Sequence, residues 1–152
     1  MPLQNNSRYE SINSSASGDD LYCRDLPTLP RPEFGTVLVT GASGYIGGRI
    51  IDDILARGYR VRILIRGNAA HYQALWPHAE IVLADALNYE TLLKALKDIH
   101  TAFYLIHSLL LGQQQFYEAD IRAAQNFRKA SEENNVKRII YLGGLGDKAA
   151  SL

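Results

Sequence analysis

From residue 35 onward, short apolar runs alternate with segments in which apolar residues return every three or four positions. TVLVT (36–40), RVRILI (60–65), AEIVLA (79–84), TAFYLI (101–106) and KRIIYL (137–142) are enriched in Val, Ile, Leu and Tyr. Runs of this length and composition predict buried strands. Between them Ile46, Ile50, Ile51, Ile54 and Leu55 recur at helical spacing, as do Leu92, Leu93, Leu96 and Ile99, and later Phe116, Ala119, Ala123, Phe127 and Ala130. The segment GNAAHYQALWPH is expected to be helical only in part, because Pro77 closes it. Parallel neighbours need crossovers rather than hairpins, and the crossovers are right-handed. The pattern therefore predicts an α/β fold, a doubly wound parallel sheet with helices on both faces.

The period changes inside TVLVTGASGYIGGRII (36–51), where a strand-like run gives way to a helical one across Gly41, Gly44 and Gly47. Each glycine has a separate physical task in such a turn. Gly41 lets the chain turn as it leaves the strand, Gly44 clears the backbone for a pyrophosphate, and Gly47 lets the helix pack closely. The free N–H groups of the first helical turn and its dipole then face an anion. The candidate contact set is Gly41, Ser43, Gly44, Tyr45, Ile46 and Gly47. Glycines at this spacing also suit tight packing alone, but a strand before them and a helix after them favour a nucleotide.

Composition narrows the field. With 152 residues, 47% of them hydrophobic and a formal net charge of zero, the chain suits one domain and has no global field for nucleic acid or an anionic membrane. An anion must be bound locally. No apolar run approaches the ~20 residues that cross a bilayer, and the N-terminus has no secretory pattern, so a cytoplasmic location is expected. Cys23 is the only cysteine, which excludes an intrachain disulfide and a cysteine zinc site. His71, His78, His100 and His107 are scattered without metal-ligand pairing. Residues 1–34, rich in Ser, Asn and Asp and ending in TLPRP, show no sustained period. They are expected to form a disordered or loosely docked arm ahead of a domain spanning 35–152.

Position supplies further candidates. A carboxylate at the end of the second strand would bond the ribose of NAD and repel the 2′-phosphate of NADP. This chain has Arg66 there, with Arg62 nearby, which favours NADP(H); a solvated strand-end arginine is the alternative. Ile106, His107 and Ser108 leave the fourth strand at its carboxyl edge, where ligands of open parallel sheets sit. No GxSxG elbow supports a hydrolase.

TGASGYIGG, Arg66 in ILIRG, Asp85 in VLADAL, YLIHSL (104–109) and VKRIIYLGGLG (136–146) resemble in order the short-chain dehydrogenase/reductase superfamily, in its extended and atypical NmrA-like branches. The resemblance implies a Rossmann-like sheet with strand order 3-2-1-4-5, in which Asp85 and the backbone N–H of Ala86 hold the adenine and the 106–108 loop runs beside the nicotinamide ribose. Asp85 also suits the cap of a helix beginning near Asn88. Active members use a Ser at the fifth strand's edge and a Tyr–xxx–Lys on the next helix. Here Gly143 or Gly144 stands at the Ser position, no YxxxK occurs, and Tyr104 and Tyr141 sit in apolar runs that suit the core. The sequence stops just past the fifth strand, so an N-terminal portion of a longer protein is expected, with self-association through the surface left bare. Two functions follow: a nucleotide-holding or redox-sensing module without its own catalytic pair, or the cofactor domain of an NADP(H)-dependent oxidoreductase or epimerase.

Overall fold

The computed structural model describes residues 29–106 and 113–143. Five parallel strands, β1 (Thr36–Val39), β2 (Val61–Ile65), β3 (Glu80–Leu83), β4 (Ile99–Tyr104) and β5 (Arg138–Tyr141), lie in the order β3-β2-β1-β4-β5. Four helices connect them: α1 (Tyr45–Ala56), α2 (Ala69–Leu75), α3 (Tyr89–Ala95) and α4 (Gln113–Glu133). The doubly wound sheet is as the hydrophobic pattern implies.

Strand alternation builds two cores. Val37, Val39, Val61, Ile63 and Ile65 point to one face and meet Ile51 of α1 and Trp76 after α2. Leu38, Leu64, Ala102 and Tyr104 point to the other and meet Leu92 and Ala95 of α3 and Phe127 and Ala130 of α4. Side chains of period two thus separate the helices into two layers. Asn68 and Asn88 start the short helices, their side chains accepting from the N–H groups of His71 and Thr91. The helix before Pro77 ends at Leu75, with Trp76 as its C-cap.

Two sequence expectations need correction. Ile99 continues the apolar series of α3 but opens β4, because Asp98 takes a positive φ of 61° and turns the chain out of the helix. The outer strands are also not buried: β3 has no buried residue, and all of β5 is exposed, Ile139, Ile140 and Tyr141 included. An edge strand has one neighbour, and its exposure depends on what covers it rather than on its composition.

At the amino end of the sheet, Pro32–Phe34 forms one 3₁₀ turn. The Phe34 ring stacks on His100 at 5.7 Å, and the Arg31 N–H donates to the Tyr59 hydroxyl at 2.8 Å. Residues 1–28 of the expected arm lie outside the described residues. Among the described residues no helix is long and apolar enough to cross a membrane.

Candidate functional site

A cleft of about 650 Å³ opens at the carboxyl edge of the sheet, between the β1–α1 turn and the ends of β2, β3 and β4. Its floor is held by Thr40, which is fully buried. The Thr40 hydroxyl donates to the Phe103 carbonyl at 3.1 Å and accepts from the Leu105 N–H at 2.8 Å, tying the end of β1 to the end of β4. Sequence reasoning passed over Thr40; its signal was a hydroxyl closing an apolar run just before the first glycine.

The glycines divide their tasks. Gly41 has φ of 69°, and a Cβ there would lie 2.7 Å from the Leu105 carbonyl oxygen. A Cβ on Gly47 would lie 2.2 Å from the Gly41 carbonyl oxygen. The close approach at Gly47 is thus to the turn's own backbone, a sharper demand than helix-to-sheet packing. Gly44 differs: its Cβ would meet only the Gly41 carbonyl oxygen, at 3.3 Å, so the protein does not itself require the bare backbone. No side chain caps α1, no acidic residue occupies its first turn, and its first N–H to bond back is that of Gly48, to the Gly44 carbonyl at 3.1 Å. The remaining N–H groups and the helix dipole make this end an acceptor of anions. Ser43, Gly44, Tyr45 and Ile46 are exposed beside it. A turn that leaves room the fold does not need, above uncapped N–H groups, fits a pyrophosphate.

Residues 41–151 match the family model described as NAD(P)H-binding. The chain belongs to this NAD(P)H-binding family. Its relatives include the 3-beta-hydroxysteroid dehydrogenase of Mycolicibacterium neoaurum, 31% identical over 76% of this chain and 33% of that protein. Cinnamoyl-CoA reductase 1 of Arabidopsis thaliana is 30% identical over 76% of this chain and 36% of that protein. The chain spans about a third of the length of these curated relatives. Among solved structures, the triphenylmethane reductase of Citrobacter sp., complexed with NADP(H), aligns with a TM-score of 0.60 at 25% identity, covering 71% of this chain and 37% of that one. The homologues are those of the short-chain dehydrogenase and epimerase superfamily, to which the sequence motifs pointed.

Within this NAD(P)H-binding domain the other candidates fall as follows. Arg66, exposed just past β2, lines the cleft and has no ion pair or hydrogen bond with any described residue. Arg62 does not join it. Its guanidinium donates to Glu80 at 2.7 Å and to the Ala95 and Lys97 carbonyls at 2.9 and 2.6 Å, closing the C-terminal end of α3. Asp85 and Ala86 line the cleft at the end of β3. The Asp85 carboxylate accepts from the Leu87 N–H at 2.9 Å, so it shapes the turn before α3, while the N-cap itself is Asn88. The Asn126 amide on α4 donates to the Ala86 carbonyl at 3.1 Å, fixing that loop from a helix whose sequence carried no such signal. Ile106 lines the cleft beyond β4; His107 and Ser108 lie outside the described residues.

Tyr104, whose apolar run suits the core, is 7% exposed and packs against Phe127 and Tyr141 at ring distances of 4.8 and 6.2 Å. Burial first, then the nearby Asp120 and Tyr141, push its phenol up from 10.0 to about 12. It is a core residue that holds its proton. Gly143, which follows β5 near the superfamily's Ser position, offers no side chain.

Proposed function

We propose that this domain holds NADP(H) in preference to NAD(H), as a nucleotide-holding or redox-sensing module without its own Tyr–Lys pair. Arg66 carries the reading. It is an exposed guanidinium on the rim of the cleft, committed to no other described group, where an NAD-selective site has a carboxylate. A guanidinium pairs with a phosphate through two parallel charge-assisted hydrogen bonds, and it gains little from a ribose hydroxyl. The other assignments follow from the same pose: the N–H groups of residues 45–47 on the pyrophosphate, the Gly44 N–H being donated to the Gly41 carbonyl at 3.0 Å, and Asp85 and Ala86 at the adenine. A bound nicotinamide dinucleotide supplies hydride chemistry; the residues of this chain hold and orient it.

Calorimetric titration of the wild type and of Arg66→Asp with NADPH and NADH tests the reading. Each charge-assisted contact contributes about 1.5–3 kcal/mol, so the wild type should favour NADPH at least about tenfold and the variant should lose or reverse that preference. Equal wild-type affinities would refute it.

A second reading is favoured by the reductases and dehydrogenases among the relatives. In it the chain is the cofactor-holding part of an NADP(H)-dependent oxidoreductase or epimerase whose proton donor comes from beyond residue 152. The exposed apolar residues of β5 support the expectation that this surface also mediates self-association.

A further inference from the structure

Tyr72 lies on α2, the helix that follows Arg66 and Gly67 in the chain, and all three line the cleft. Its ring is stacked on Trp76 at 6.2 Å with an interplanar angle of 16°, and His71 meets it edge-on at 5.3 Å. Trp76 is buried, and its indole N–H donates to the Asp52 carboxylate at 2.8 Å. Asp52 belongs to α1, the helix whose opposite end faces the candidate pyrophosphate site. A continuous column thus runs from α1 through Asp52 and Trp76 to Tyr72, which lines the same cleft as Arg66. The Tyr72 hydroxyl, at the end of that column, has no hydrogen-bond partner among the described residues.

We propose that Tyr72 is a specificity-determining residue whose hydroxyl donates a hydrogen bond to the ribose 2′-phosphate beside Arg66, and that Trp76 and Asp52 are positioning residues that hold its ring at the cleft. The inference rests on the NADP(H) reading above. A phenol O–H donates to phosphate without adding charge, so it supplements Arg66 rather than duplicating it. The ring needs an anchor because α2 has only seven residues and no buried residue of its own. Trp76 supplies a flat support, and the Asp52 hydrogen bond prevents that support from rotating. Gln73 secures the same segment, its amide donating to the Pro77 and Ala79 carbonyls at 3.3 Å each.

The test uses the 152-residue chain, NADPH and NADH as ligands, and two readouts, calorimetry and the emission of Trp76, which is the only tryptophan. Tyr72→Phe keeps the ring and its stack, so a loss confined to NADPH is not a folding defect. The expected result is a fall in NADPH affinity of about tenfold, with NADH affinity changed by less than about twofold. Asp52→Ala should lower NADPH affinity and shift Trp76 emission, and Asp52→Asn, which keeps an acceptor oxygen, should restore both. If the wild type prefers NADPH, Arg66→Asp abolishes the preference and Tyr72→Phe leaves the NADPH-to-NADH ratio unchanged, the Tyr72 assignment is overturned and the NADP(H) reading stands. A wild type without preference overturns both. Asp52→Ala with wild-type affinity and emission overturns the positioning role.

Discussion

Substituting alanine at Gly44 and at Gly47 separates what the glycine turn does for the ligand from what it does for the fold. At Gly44 the added methyl has one protein neighbour within contact range, the Gly41 carbonyl oxygen at 3.3 Å. A shift of a few tenths of an ångström relieves it. Adding the modest preference for Gly over Ala at a helix N-cap, the stability cost is about 1 kcal/mol, or ~2–4 °C in Tm for a chain of this size. The same methyl stands where the backbone must approach a pyrophosphate, and overpacking of that kind costs about 1–3 kcal/mol, from several-fold to more than a hundredfold in Kd. At Gly47 the methyl would lie 2.2 Å from the oxygen and 2.8 Å from the carbon of the Gly41 carbonyl and 3.2 Å from the Ala42 Cα. All three are backbone atoms and none can rotate away. Gly47→Ala should therefore cost about 3 kcal/mol or more and lower Tm by at least ~6 °C. Thermal melts and NADPH calorimetry on both variants read the two effects separately. Gly44→Ala with unchanged affinity would remove the turn from the binding site. Gly47→Ala melting with the wild type would refute the packing argument.

Two further outcomes follow from the burial of Tyr104. Because the Tyr104 phenol is raised from 10.0 to about 12 on folding, it ionises more readily in the unfolded chain; its contribution is intact below pH 10 and is lost between pH 10 and 12, at about 1.4 kcal/mol per pH unit, and Tyr104→Phe should flatten that part of a urea-denaturation pH profile. NADPH consumption against a panel of aldehydes, ketones and quinones should show no sustained turnover by this chain, since Tyr104 keeps its proton in the core and no YxxxK is present; substrate-dependent turnover abolished by Tyr104→Phe would overturn that expectation.

The architecture was legible because parallel strands buried on both faces must be largely apolar, and β1, β2 and β4 are, apart from Thr36, Arg62, His100 and Thr101. Exposure of β3 and β5 was not legible, for composition records what a strand can bury and not whether a layer lies over it. Ile99 was misplaced for a related reason: the last turn of an amphipathic helix and the first residue of a buried strand both call for an apolar side chain. The positive φ at Asp98 that separates them leaves no mark in the periodicity.

Within the site, legibility follows whether a residue's task is local. The tasks of Gly41 and Gly47 are set by atoms of the same turn and of the adjoining strand end, and their spacing betrayed them. Arg66 stands at a strand end whose place in the fold is known once the sheet order is known. Arg62, four residues earlier, has the same chemistry but a different destiny, because Glu80 and the carbonyls closing α3 lie within its reach only after β2 has paired with β3 and α3 has packed beside them. Thr40 and Asn126 likewise act through partners distant in sequence. The residues proposed to hold the dinucleotide are thus mostly local to the first turn and the ends of β2 and β3. The resemblance puts a proton-transferring Ser just past the fifth strand, where this chain has Gly143; the phenol of Tyr104 on β4 is sealed in the core, and that of Tyr141 on β5 is exposed. On the proposed reading, holding a dinucleotide and transferring a proton therefore draw on different strand ends of the same sheet.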